Sequence, residues 1–219
     1  MRRNGTEVRL NVNALTTVPD TLEFMGMDPD TVPDPVRNNL TRLINAYSDY
    51  MESTTGRKFR RNRYIERHES VGNQNLVVRE YPIVSVEAIR DINGGTDLEP
   101  SKYDWEQGGN TGVIYMDTGW PMKGYRAGLS NDIRLVSRYL EVTYTAGYIL
   151  PKDATAKQPA TLPGDLQWAV WQLVQQQWNL SSNGANGLSA FSISDVTWTF
   201  DKGLDPQVGS IVNQYMRFC

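Results

Sequence analysis

His68 is the only histidine in the chain, so a general base, a zinc ligand set or a hydrolytic triad built on imidazole would have to use it. Its setting argues against that use. It stands between Arg67 and Glu69 in a polar stretch, and the sequence contains no G-x-S-x-G elbow, no P-loop and no G-x-G-x-x-G following a strand. Carboxylates are abundant, but a glycosidase-like pair is defined by a separation of about 5 or 6.5–9.5 Å, which spacing along a chain does not set. Cys219 is the only cysteine and the last residue, which excludes an intrachain disulfide and a thiolate metal cluster. The expectation is a protein without catalysis, metal or cofactor.

Two other groups rise above background. The run from Arg57 to Arg67 holds 6 of the 22 basic residues, interleaved with Phe59, Tyr64 and Ile65. Arg57, Arg60, Arg61 and Arg63 lead it. Such a strand can track a nucleic-acid backbone, guard a sheet edge by charge, or meet an acidic protein surface; the last two uses are the more frequent. The second group is six tryptophans beside only five phenylalanines, a residue type favoured at interfaces for its large buried area.

The elements that must carry these residues follow from periodicity. A short leading helix is expected around Pro19–Gly26, and Asp34-Pro35 reads as N-cap and first turn of a long one. Val36, Leu40, Leu43, Ile44, Tyr47, Tyr50 and Met51 form its stripe, and Gly56 stops it. From Lys58 to Tyr148 the period falls towards two, giving strands near 59–67, 75–79, 84–92, 103–105, 113–116 and 138–144, with a long loop at 118–132. After Pro163 a second long helix presents Leu166, Ala169, Val170, Leu173, Val174 and Trp178 on one side. Trp168 points roughly 160–200° away, so this helix has two sides to bury, against the β part or against another subunit. The residues 191–200 read as a strand or an extended connector. Asp205-Pro206 opens a last helix whose stripe of Val208, Ile211, Val212, Tyr215, Met216 and Phe218 must be buried in its own bundle or in a partner's groove.

The fold class is therefore α+β: a small bundle of two long helices with short leading and C-terminal helices, and an inserted antiparallel β subdomain. Its expected organisation is an N-terminal arm (1–13), a helical core (14–57 with 160–219) and the insertion (58–150). The 219 residues suffice for a sizeable core. A formal net charge of −3 provides no cationic field for non-specific DNA binding. With neither a signal peptide nor an apolar membrane-length run, synthesis in the cytoplasm is expected.

In order along the chain, these segments resemble the phage gp6-like head-tail connector (adaptor, head completion) proteins. Leu22 to Met27 is similar to the short leading helix of that family. Leu40 to Glu52 running into Thr55-Gly56-Arg57-Lys58-Phe59 resembles its first long helix and exit. Tyr81 to Val86 and Val142 to Tyr148 resemble two strands of its insertion, and Leu162 to Leu166 the opening of its second long helix. The resemblance implies a virion protein made in the host cytoplasm that oligomerises into a ring, typically a dodecamer, under the portal protein. It would join the head to a downstream stopper or tail terminator and let DNA pass through its channel without specific binding. On that footing Trp168, Trp171, Leu40 and Tyr47 are candidate subunit contacts, and Val208, Ile211, Tyr215 and Phe218 candidate portal contacts. A surface carbohydrate- or receptor-binding module is the alternative, and it requires tryptophans exposed in a groove of the β part.

Overall fold

The computed structural model describes residues 7–70, 72–92, 94–109, 111–121, 138–182, 190–193, 196–199 and 205–217. The protein is α+β, with four helices, two of them long, and two small inserted antiparallel sheets among the described residues. It forms two compact units, Met1–Arg57 with Ile149–Cys219, and Lys58–Tyr148.

The helical unit begins with α1 (Val18–Phe24), capped by Thr17, whose side chain accepts the Asp20 N–H at 3.2 Å. Helix α2 (Asp34–Thr55) starts one residue away from expectation: Pro33 is the N-cap and Asp34 already helical. The Pro33 carbonyl takes the N–H groups of Val36 and Arg37. The Asp34 carboxylate makes no cap bond, and it sits in the first turn where the helix dipole favours an anion. At the other end Gly56 adopts φ 68°, and the Thr55 carbonyl accepts the Arg217 N–H at 2.9 Å. Along α2, Leu40, Ile44 and Met51 are fully buried, whereas Tyr50 is 38% exposed. Thr41, Ser48, Glu52 and Thr55 are buried in company with the apolar stripe.

Helix α3 (Gly164–Ser182) packs on α2 through Leu166, Ala169, Val170, Leu173 and Val174, each fully buried Leu or Val adding about 1.5–3 kcal/mol. It is followed by a hairpin of two strands, Ala190–Ile193 and Val196–Thr199, where one extended segment had been expected. The C-terminal helix α4 (Pro206–Gln214) is capped by Asp205 on the Gln207 N–H at 2.7 Å and packs on α2 and α3.

The second unit holds β1 (Asn62–His68), β2 (Asn75–Val77), β3 (Ile83–Asp91), β4 (Thr96–Asp97), β5 (Asp104–Trp105), β6 (Val113–Tyr115) and β7 (Leu140–Ala146). One sheet runs β1-β7-β3-β4 and the other β2-β6-β5, all antiparallel. The β1–β7 ladder is uninterrupted from Asn62 opposite Ala146 to His68 opposite Leu140, while β3 slips twice against β7. On β7 the residues Leu140, Val142, Tyr144 and Ala146 alternate inward, the period of two that half-buried strands require. They join Ile83, Ile89 and Trp120 in one core. Of the loop expected at 118–132, residues 122–132 lie outside the described residues.

Candidate assembly surfaces

The second side of α3 faces α4. Gly164, Asp165 and Trp168 from α3 and Gln207, Ser210 and Ile211 from α4 line an open groove of about 470 Å³. Tyr215 donates its hydroxyl to Asp165, one of the lining residues, with Oδ1 at 2.9 Å. A segment some forty residues further along the chain flanks Trp168 in this open groove. The other margin of α3 is held internally. Trp171 stacks on Phe24 with centroids 5.1 Å apart and donates Nε1 to Thr16 Oγ1 at 2.7 Å, while Gln167 reaches the same hydroxyl at 3.1 Å.

A surface that sequence reasoning missed lies along α2. Asn38 Oδ1 accepts the Val8 N–H at 2.9 Å, and Asn45 accepts the Asn11 N–H at 2.8 Å while donating Nδ2 to the Arg9 carbonyl at 3.0 Å. Asn13 donates to Asp49 and Glu52, and Ser48 accepts the Leu15 N–H at 3.0 Å. One polar face of a helix therefore holds the backbone of an extended N-terminal arm as a sheet edge would. A pocket of about 650 Å³ lies between the arm's start and the first turns of α2, lined among others by Leu10, Asp34, Arg37 and Asn38. The signal available in the sequence was the seven-residue recurrence Asn38, Asn45, Glu52, which an apolar periodicity search passes over.

The basic run is dispersed by the fold. Arg57 is buried at 1% exposure, and Arg60 is exposed. On β1, Arg63 pairs with Glu87 at 2.6 Å and Arg67 with Glu141 at 2.9 Å, so two of its charges are matched on the same sheet face. Beneath that face is a network. Glu66 accepts the Tyr144 hydroxyl and the Arg79 N–H, and His68 Nε2 stands 3.2 Å from its Oε2 at a poor hydrogen-bond angle. Tyr144 in turn accepts the Glu80 N–H at 3.1 Å. Burial alone would raise the Glu66 pKa, but His68, Tyr144 and the Arg79 amide together hold it below the usual carboxylate range. Burial and the Glu66 carboxylate push the Tyr144 phenol far up.

A carboxyl depressed in the folded state stabilises that state above its ordinary pKa, about 4.3, and the contribution is lost as pH falls through the lower folded value. Thermal unfolding of the β unit is therefore expected to shift downwards over the acid side of pH 4, and Glu66→Gln should remove part of that dependence. Superimposable pH profiles for the two proteins would show that the network does not carry it.

Of the residues singled out from sequence, Trp168 and Ile211 are brought to one groove. Leu40 and Val208 are fully buried in their own unit and offer no surface in this conformation. Tyr47 is half-buried, its phenol pushed up by burial; Trp171 and Tyr215 make the internal bonds just described. Phe218 lies outside the described residues. In the β unit Trp120 is 1% exposed, with Nε1 donated to the Gln74 carbonyl, and Trp105 packs near Tyr103. Within the β unit Trp120 is buried and Trp105 half-buried, whereas Tyr115 is 39% exposed. Among the described residues there is no cluster of metal-ligating side chains, and no helix is long and apolar enough to cross a membrane.

No family model matches the sequence, and no curated protein matches it. The fold is similar to that of chains in solved structures of gene transfer agent particles. A chain in the neck of an empty gene transfer agent particle, computed with C6 symmetry, aligns over 98% of this chain and 95% of that one with a TM-score of 0.52 at 14% identity. A chain in the virion of the native gene transfer agent particle aligns over the same shares with a TM-score of 0.51, also at 14% identity.

Proposed function

We propose that this chain is a head-tail connector, or adaptor, of a phage-like particle: a structural subunit of the virion neck that forms a homo-oligomeric ring under the portal protein. The ring would extend the DNA channel to a downstream stopper or tail terminator, with the helical core (14–57 and 160–219) as its assembling body and 58–150 as the insertion. The observation that carries the reading is the end-to-end correspondence of fold with a neck chain, 98% of this chain against 95% of that one, which takes in the insertion as well as the helices. A closed ring needs two different faces of one chain that meet head to tail. The helical unit has two distinct candidates, the α3–α4 groove and the arm-bearing face of α2. The ion pairs of Arg63 and Arg67 fit a channel protein past which DNA slides without being gripped.

Electron microscopy of the purified protein, alone and with a portal protein, tests the reading. Rings, free or seated on the portal, are expected. A protein that stays monomeric and leaves portals undecorated overturns it. Within this reading, Trp168→Glu is expected to keep the helix content while abolishing ring formation, because it places a charge in the groove that a neighbour would desolvate. Rings of unchanged size by sedimentation would remove the groove from the interface.

A further inference from the structure

Val12 is 69% exposed, the highest value among the described large apolar residues. The chain fixes it there. Asn11 donates its N–H to Asn45, the Asn11 carbonyl accepts the Ala14 N–H at 3.1 Å in a tight turn, and Asn13 is bonded to Asp49 and Glu52 of α2. An apolar side chain is thus displayed in water on a turn pinned at both flanks. Three residues earlier, Arg9 is exposed with its carbonyl held by Asn45, and its guanidinium has no partner among the described residues. The α3–α4 groove is the reverse of this surface. Trp168 and Ile211 line it half-buried, and the indole N–H has no acceptor among the described residues, although a largely covered indole ordinarily finds one. The charges at its walls are acidic: neither α3 nor α4 contains a lysine or arginine, while Asp165 lines the groove and Asp205 caps α4.

We propose that in the assembled ring Val12 of one copy enters the α3–α4 groove of the next copy, against Trp168 and Ile211, with Arg9 beside the acidic wall of Asp165 and Asp205. The occupant is a second copy of this chain because the apolar tip and its cation lie on one face of the helical unit, and the apolar groove and its acids on another. That complementarity is what a head-to-tail contact requires. On α3 the two faces are marked separately. Gln167 and Trp171 bond Thr16 at the base of the arm, whereas Asp165 and Trp168 line the groove, about 110° further round at roughly 100° per residue. Because the turn is already fixed, docking it costs little ordering entropy. The contact rests on the ring reading above and adds to it the two surfaces that meet.

The test is disulfide trapping in the full chain carrying Cys219→Ser. With Val12→Cys and Ile211→Cys together, mild oxidation is expected to give a ladder of covalent oligomers up to the size of the ring, since each contact ties one copy to the next. Either cysteine alone should give dimers at most. In parallel, Val12→Glu is expected to weaken self-association in sedimentation by roughly tenfold or more, because a charge would be desolvated against the indole, and Arg9→Glu should weaken it less. Both side chains are exposed, and circular dichroism shows whether the subunit still folds; if Val12→Glu does not, the trapping decides alone. Rings that form unchanged with Val12→Glu, or a double-cysteine protein that stays monomeric or stops at dimers within intact rings, overturn the contact and leave the ring reading standing. Val12→Glu rings of normal size that no longer seat on a portal would show that the turn meets the portal, and the contact between copies is then wrong. A wild-type chain that never self-associates, with or without a portal, overturns both.

Discussion

Gly147→Ala is expected to destabilise the β unit by roughly 3–5 kcal/mol, the upper range for a single substitution. Two effects combine. Gly147 has φ 102°, a region where an L side chain costs about 1–2 kcal/mol. A Cβ there would also lie 2.8 Å from the Arg60 carbonyl oxygen and 2.9 Å from that of Phe59, and both are backbone atoms that cannot rotate away. They cannot retreat easily either, because the next residue is bonded into the same place: Tyr148 donates its N–H to Phe59 and accepts the Arg61 N–H, both at 2.7 Å. The crossing of two chain segments at Gly147 thus leaves room for a hydrogen atom only. Denaturant unfolding followed by tryptophan emission measures the loss. A variant within about 0.5 kcal/mol of wild type, the size of an ordinary surface change, would mean that the crossing relaxes freely.

The second large effect is expected at Trp171 in the helical unit. Trp171→Ala removes the stack on Phe24 and the donor to Thr16, and should cost about 3 kcal/mol, the low end for such truncations because the indole is only half-buried. Trp171→Phe keeps the stack and loses the hydrogen bond. Thr16 is fully buried but retains Gln167 as a donor, so this variant should lose only about 1 kcal/mol. If both variants lose the same amount, the hydrogen bond and not the stacking holds α1 to α3.

The two long helices were legible because their apolar residues recur at the helical period, and Leu40, Ile44, Met51, Leu166, Val170 and Val174 are all buried. Periodicity placed Tyr50 in the same stripe, yet its ring is partly in water, since i+10 from Leu40 has rotated to the margin. That α4 flanks Trp168 was not legible, because packing between distant segments leaves no local trace. The two-residue strand β4 was invisible for a related reason: Thr96 and Asp97 are strand only through pairing with Arg90 and Asp91. At the assembly surfaces, the charge of the basic run could be counted but not its neutralisation, which depends on Glu87 and Glu141 arriving on adjacent strands.

The arm on α2 works as a vernier. A helix climbs about 1.5 Å per residue and an extended chain about 3.3 Å, so seven helical positions and three arm positions both span about 10 Å. That coincidence is what lets Asn38 and Asn45 meet Val8 and Asn11. Because these asparagines read only peptide groups, substitutions among the arm's outward side chains leave the grip unchanged. Inserting or deleting a single arm residue moves every later peptide by about 3.3 Å, a step that two helical residues match in height but not in direction. The grip therefore leaves the segment free to drift in composition while locking its length.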